Sequence, residues 1–283
     1  MKTLSSIVLL LTFAGLASAD NFVYSSLPSP IPVNLPSLGY EATSTSEFGQ
    51  GVQLSGDVGA TLTTAEVYMS NWALESTYET VGTSTGFTVP LTLDFYNVGP
   101  DDSVGSLFAT YTIAAFIQWR PEASSSCTGG AFLGSDGQCY NGLGQVVTFS
   151  LGGLSVPAQF IYGLAFNTTD YGADPTGIAG PYDSLNFGLI GDGVDPVTPS
   201  VGSDLVANSA YWNTSYAGFY GDDGLGGVGT FRLDANDWEG YDPAIAFSVA
   251  AVPEPAAIML LGTVAFVFLL LVRRRSTARR PTL

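Results

Sequence analysis

Residues 91–96 read Leu91-Thr92-Leu93-Asp94-Phe95-Tyr96, a regular alternation of apolar and polar side chains. A period of two puts the apolar side chains on one face of an extended chain and the polar ones on the other. An amphipathic helix would need apolar residues three and four positions apart, and this stretch lacks that spacing. It therefore predicts a β-strand that packs one face against a hydrophobic core.

The same alternation recurs on both sides of this stretch, between clusters of Gly, Pro, Asp and Asn. It is found in residues 107–119, 160–166, 185–189 and 245–249, where β-branched and aromatic residues are frequent. In the second half of residues 107–119 both parities are apolar, which predicts a strand buried on both sides. About ten such strands favour an all-β fold, an antiparallel β-sandwich of jelly-roll type in a single domain.

The N-terminus has the pattern of an export signal. Lys2 is followed by an apolar stretch over residues 7–16 and then by Ala17-Ser18-Ala19, a small-x-small sequence. This pattern predicts a signal peptide over residues 1–19, which signal peptidase removes before Asp20. The alternative, an uncleaved membrane anchor, would need a longer apolar run.

The C-terminal segment, residues 252–283, has three parts in a fixed order. Val252-Pro253-Glu254-Pro255 is followed by an apolar run over residues 256–272 and by a basic tail, 273–283, that begins Arg273-Arg274-Arg275. The run gives about 25 Å of helix, enough to cross a bilayer core. Arginines stay on the cytoplasmic side, so we expect a transmembrane helix that leaves the body, residues 20–251, outside the cytoplasm.

This order of motif, span and arginines resembles the PEP-CTERM sorting signal of bacterial exosortase substrates. The resemblance implies that a membrane-embedded exosortase recognises Pro253, Glu254 and Pro255 and processes the chain near them. It further implies transfer from the inner membrane to the cell surface or extracellular matrix of a Gram-negative bacterium that makes exopolysaccharide. The alternative is a permanent single-span protein. The same segment is also labelled the C-terminal region of ice-binding proteins, but the body has no regular Thr-x-Thr array and we expect no such activity.

The body is strongly acidic. Residues 20–251 contain two basic residues, Arg120 and Arg232, against 24 acidic ones, a formal charge of −22. This field repels phosphate backbones and anionic lipids, which excludes nucleic acid as a partner. It attracts cations, of which Ca²⁺ is the expected one outside a cell.

The residue types present limit the chemistry. The chain has no His and no Lys after Lys2, which excludes Ser-His-Asp triads, Cys-His dyads, His-ligated zinc and Lys Schiff bases. Cys127 and Cys139 are the only cysteines, and in an oxidising compartment we expect them to form a disulfide.

A polar cluster near the end of the body is a candidate Ca²⁺ site. Oxygen ligands could come from Asp234, Asn236, Asp237, Glu239 and Asp242, which lie within nine residues of one another. The cluster matches neither an EF-hand loop nor a calcium-binding nonapeptide repeat. The alternative interpretation is a set of turns, because Asp side chains accept hydrogen bonds from nearby backbone amides.

Trp212 and Tyr216, beside the polar run 213–215, are candidates for stacking against sugar rings. The alternative is that they are core residues, since strands also bury aromatic side chains.

Three functions are compatible with these observations. We predict a non-enzymatic surface or matrix protein, associated with exopolysaccharide and without catalytic residues. The second hypothesis is a carbohydrate-binding module assisted by Ca²⁺. The third is a glycan-active enzyme, because glycoside hydrolysis needs two carboxylates and no histidine.

Overall fold

The computed structural model describes residues 21–78, 80–195, 197–235 and 238–250. Within them the chain forms sixteen β-strands and four 3₁₀ helices of three or four residues each. The 3₁₀ helices are Glu75–Thr77, Pro100–Asp102, Pro181–Ser184 and Ala217–Phe219. In chain order the strands are β1 (Asn21–Ser25), β2 (Ser37–Gly39), β3 (Thr45–Gln53), β4 (Ala60–Asn71), β5 (Gly86–Val98), β6 (Val104–Gln118), β7 (Phe132–Leu133), β8 (Cys139–Tyr140), β9 (Leu143–Val156), β10 (Gln159–Ala165), β11 (Leu185–Ile190), β12 (Ser203–Asp204), β13 (Ala210–Thr214), β14 (Arg232–Asp234), β15 (Asp242–Pro243) and β16 (Ile245–Val249).

These strands form two seven-stranded, mostly antiparallel sheets and one small hairpin. The first sheet has the order β1-β16-β4-β11-β15, with β9 also paired to β4 and β2 to β11. The second has the order β14-β13-β3-β10-β5-β6, with β12 also paired to β3. Strands β7 and β8 pair with each other. The predicted all-β fold is confirmed.

The core lies between the two sheets and is rich in aromatic rings. All three apolar residues of the 91–96 stretch are fully buried on the inner face of β5. From the first sheet, Phe247 reaches across to the second, with its ring centroid 5.3 Å from that of Phe160 and 5.8 Å from that of Phe95. Elsewhere in the core, the rings of Phe48 and Phe187 meet edge to face at 6.1 Å. The period of two therefore places side chains as the sequence predicts.

The prediction for the second half of residues 107–119 is wrong. Ala115 and Ile117 are buried, but Ala114 is exposed and Phe116 is 47% exposed. In this half of β6 one face is covered by the core and the other faces solvent. Among the described strands, β6 pairs only with β5, at the end of the second sheet's strand order. Apolar residues on both parities are tolerated there because single exposed hydrophobic side chains cost little.

The predicted disulfide is confirmed. Cys127 and Cys139 are bonded, with their Cα atoms 5.8 Å apart. Cys139 belongs to β8, so the bridge ties the preceding Ser- and Gly-rich loop to the β7–β8 hairpin. This adds a constraint in a part of the chain that has few buried apolar residues.

Residues Phe22–Ala250 form one compact unit. The second unit, Met1–Asn21 with Ala251–Leu283, has only Asn21 among the described residues. The predicted signal peptide, its cleavage residues Ala17 and Ala19, the sorting motif, the helix over 256–272 and the arginines therefore lie outside them. In the part of the chain that is described, no helix is long and apolar enough to cross a membrane.

Candidate functional site: an aromatic groove

The sandwich carries an open groove lined by aromatic side chains, with a volume of about 420 Å³. We call it the aromatic groove. Its apolar lining comes from β2, β11 and β13, from the 3₁₀ helix Ala217–Phe219, and from the residues just before β15. These lining residues are Leu38, Leu189, Trp212, Phe219, Trp238 and Tyr241, and the rim adds Pro36, Ser37, Gly39 and Thr43.

Trp212 lies on the inner face of β13, because its register partner is the core residue Phe48. It is 4% exposed, and its indole N–H donates to Thr45 Oγ1 at 2.7 Å. The ring of Trp238 meets it edge to face at 5.3 Å, and the ring of Phe219 stacks on it at 6.0 Å. Trp212 is therefore the floor of the groove, which agrees with the alternative of a core residue and not with an exposed stacking platform.

Tyr216 is the exposed aromatic residue of the predicted pair. Its side chain is 59% exposed, and its ring meets that of Phe219 edge to face at 5.0 Å. Phe219 is itself 37% exposed and lines the groove. Tyr216 and Phe219 thus extend the aromatic surface from the groove into solvent, where a flat ligand could stack against them.

Hydroxyl groups accompany the aromatic rings around the groove. Thr43 Oγ1 donates to the Gly39 carbonyl at 2.8 Å, and Ser37 Oγ accepts from Asn186 Nδ2 at 3.1 Å. Tyr241 lines the same space. An apolar surface with a few convergent polar groups is typical of a site for a small or extended ligand.

The structure does not bring the described residues of the predicted Ca²⁺ loop together. Asp234 is buried, and its two carboxylate oxygens accept from the Gly221 amide at 3.0 Å and from Trp238 Nε1 at 2.9 Å. Glu239 is exposed, and Asp242 is buried in β15. Asn236 and Asp237 lie outside the described residues. Within those that are described, no three Cys, Asp or Glu side chains form a group that could hold a metal ion.

A pair of carboxylates lies elsewhere, on the outer face of the second sheet. Burial raises the pKa of Glu47 from its ordinary value of 4.5 to about 8, with a lowering contribution from the hydrogen bond that Tyr96 donates at 2.9 Å. The Asp94 charge raises that pKa further. The pKa of Asp94 is itself raised by burial, against the hydrogen bond from Thr110.

Glu47 rests directly on the backbone of the neighbouring strand. A Cβ atom built on Gly163 would lie 2.0 Å from Glu47 Oε1, so only glycine leaves room for this carboxyl. Glu47 is 9% exposed. A general acid has to reach the oxygen that it protonates, so a covered carboxyl is poorly placed for glycoside hydrolysis.

Comparison with known proteins gives no relative. No family model matches the chain, and neither a curated protein nor a solved structure matches it.

The sequence indicates two aromatic residues of this site but not most of the groove. Tyr216 and Trp212 are close in sequence, whereas Leu38 and Thr43 come from the other end of the body. Strand β2 reaches the groove because it pairs with β11, a long-range contact that no local pattern encodes.

Proposed function

We propose that this chain is a non-enzymatic, exported protein of the bacterial surface or extracellular matrix that binds a glycan in the aromatic groove. The observation that carries the proposal is the combination of a partly exposed aromatic pair, Tyr216 and Phe219, with an aromatic-floored groove. Pyranose rings have apolar faces that stack on such rings, and their hydroxyl groups bond to polar groups on the rim.

The charge of the body narrows the class of glycan. A formal charge of −22 over residues 20–251 repels polyanions at low salt. The favoured ligand is therefore a neutral or weakly charged polysaccharide, and exopolysaccharide of that kind fits the predicted location. We also propose that the β-sandwich is of jelly-roll type.

Removing the two exposed rings should weaken glycan binding. We expect the double substitution Tyr216→Ala and Phe219→Ala to lower the affinity about tenfold to a hundredfold, since each lost stacking contact costs about 1 kcal/mol or more. The measurement is binding of the full chain to a glycan panel and to the host's exopolysaccharide, by affinity electrophoresis and calorimetry.

Phe116→Ala is the matched control, because it removes a partly exposed ring from β6, away from the groove. It should leave the affinity unchanged. If the wild-type chain binds no glycan, the glycan-binding proposal is wrong and the function of a purely structural matrix protein is favoured. Release of free sugar from the polysaccharide would instead favour the enzyme.

The export part of the proposal has its own test. If exosortase recognises Glu254 at the centre of the sorting motif, Glu254→Ala should leave the full-length chain in the inner membrane, whereas the wild-type chain is processed. Immunoblots of membrane, surface and medium fractions measure this. Glu239→Ala, at an exposed position of the body, is the control and should be processed normally. Normal processing of the Glu254→Ala chain would count against exosortase recognition.

A further inference from the structure

Two aspartates from opposite sheets come together in the interior of the sandwich. Asp242 lies on β15 in the first sheet and is 2% exposed, and Asp204 lies on β12 in the second sheet and is partly exposed. Two fully buried tyrosines, Tyr24 and Tyr162, lie with them. We call these four residues the inter-sheet acidic cluster.

The cluster contains three buried oxygen atoms without a hydrogen-bond partner. These are both carboxylate oxygens of Asp242 and the hydroxyl oxygen of Tyr162. Tyr24 donates its one proton to Asp204 Oδ1 at 2.8 Å, and Gln50 Nε2 donates one of its two protons to the Ser209 carbonyl at 2.7 Å. Buried polar atoms without a partner are rare and costly, so this cluster needs an explanation.

The groups of the cluster affect one another's pKa. Burial raises the pKa of Asp242 well above its usual range, and the Asp204 charge raises it further, whereas nearby Gln50 and Tyr24 lower it. Burial raises the pKa of Asp204 to about 6, against the hydrogen bond from Tyr24. Burial and the charges of both aspartates raise the pKa of Tyr162. The raised pKa favours a protonated, neutral Asp242, and ionising both carboxylates in this interior requires a compensating positive charge.

The described cations of the body do not supply that charge. Arg232 forms an ion pair with Asp222 at 2.7 Å, and Arg120 donates to the backbone carbonyls of Trp72 and Gly130. The chain has no His, and its remaining basic residues lie at the two ends. The compensating positive charge is therefore a bound cation or a bound proton.

We propose that the inter-sheet acidic cluster binds one Ca²⁺ ion between Asp204 and Asp242, with the Tyr162 hydroxyl as a neutral oxygen ligand. Two carboxylates balance the two positive charges, and the donors are all oxygen atoms, which suits a hard cation. Ca²⁺ accepts irregular coordination, whereas Mg²⁺ demands near-ideal octahedral geometry that a two-carboxylate interior site does not offer. Asp204 is partly exposed and gives the ion an access path.

This site differs from the loop that the sequence predicts, and it shares only Asp242 with it. The ion would join β12 of one sheet to β15 of the other. Asp242 also follows Tyr241, which lines the aromatic groove, so Ca²⁺ would hold that groove wall in place. The inference does not depend on glycan binding, and its test uses no glycan.

The test is the thermal stability of the full chain in detergent micelles, after chelation and with either CaCl₂ or MgCl₂ at equal ionic strength. We expect Ca²⁺ at about a hundredfold excess over its Kd to raise the Tm by roughly 5–10 °C above the chelated protein. Mg²⁺ reports the general screening of the acidic body and should give a clearly smaller increase. Equilibrium dialysis should find one tightly bound Ca²⁺ per chain.

Asp242→Asn should remove the Ca²⁺-specific increase in Tm, and Asp204→Asn, at the partly exposed ligand, serves if the first variant does not fold. Glu239→Gln, in the sequence-predicted loop, and Asp57→Asn, at an exposed turn, carry the same loss of charge and should keep the full increase. The proposal is overturned if Ca²⁺, Mg²⁺ and chelator give the same Tm, or if both cluster variants keep the increase. Loss of the increase in Glu239→Gln would overturn it in favour of the loop.

Discussion

Replacing Phe247 with alanine is expected to lower the free energy of unfolding by about 4 kcal/mol. Phe247 is fully buried, and its ring packs against four aromatic rings from both sheets. Their centroids lie between 5.3 and 6.1 Å away, in Tyr24, Phe95, Phe160 and Tyr162. An alanine leaves a cavity that this close-packed, bulky surrounding cannot fill, so both burial and contacts are lost.

Urea unfolding followed by circular dichroism measures this loss. Phe116→Ala removes the same ring from a position that is 47% exposed and should cost less than about 1 kcal/mol. Equal losses for the two variants would mean that Phe247 does not hold the sheets together.

Replacing Glu47 with glutamine is expected to raise the free energy of unfolding, by an amount that grows with pH. Glu47 has a pKa of about 8 in the folded protein, against 4.5 for the ordinary group. Between these values the folded state holds a proton that the unfolded state has released, so folding stability falls as pH rises from about 4.5 to about 8. Glutamine stays neutral and can still accept the Tyr96 hydrogen bond, so the stability of the variant does not fall in this way as pH rises.

The expected difference is large because burial opposes ionisation of this carboxyl. At about 1.4 kcal/mol per pH unit, the variant should gain up to roughly 5 kcal/mol over the wild type at pH 9, and close to nothing at pH 4. Urea midpoints of both chains across this range provide the measurement. Glu75→Gln, at an exposed position, should show no such growth. A constant difference between Glu47→Gln and wild type at all pH values would contradict the assignment.

The strands were predictable where one face is buried and the other is exposed to solvent. Residues 91–96 alternate because they lie in a sheet with one face in the core, and they are a strand in the structure. Residues 245–249 are a strand too, although Ala246 and Ser248 on the other face are also buried. The prediction that the second half of residues 107–119 is buried on both faces failed because apolar side chains occupy both parities, although β6 has one exposed face. Composition cannot tell a buried face from an exposed one at the end of a sheet.

The site residues were only partly predictable, for a related reason. Tyr216 lies two residues after the end of β13, and its exposure agrees with the stacking hypothesis. Trp212 is four residues earlier and turns inward, because its position opposite Phe48 points it into the core. Asp234 has a carboxylate that could bind a metal, but both its oxygens accept hydrogen bonds from neighbouring groups.

The sequence by itself determined the all-β class and the disulfide. A period of two is a local property that backbone geometry imposes, and two cysteines allow one pairing. Only the tertiary structure decided which aromatic residues form the groove and that Asp204 meets Asp242. Those contacts join distant segments through the order of strands in two packed sheets. Strand order follows from burial of the whole chain at once, which no short stretch of sequence encodes.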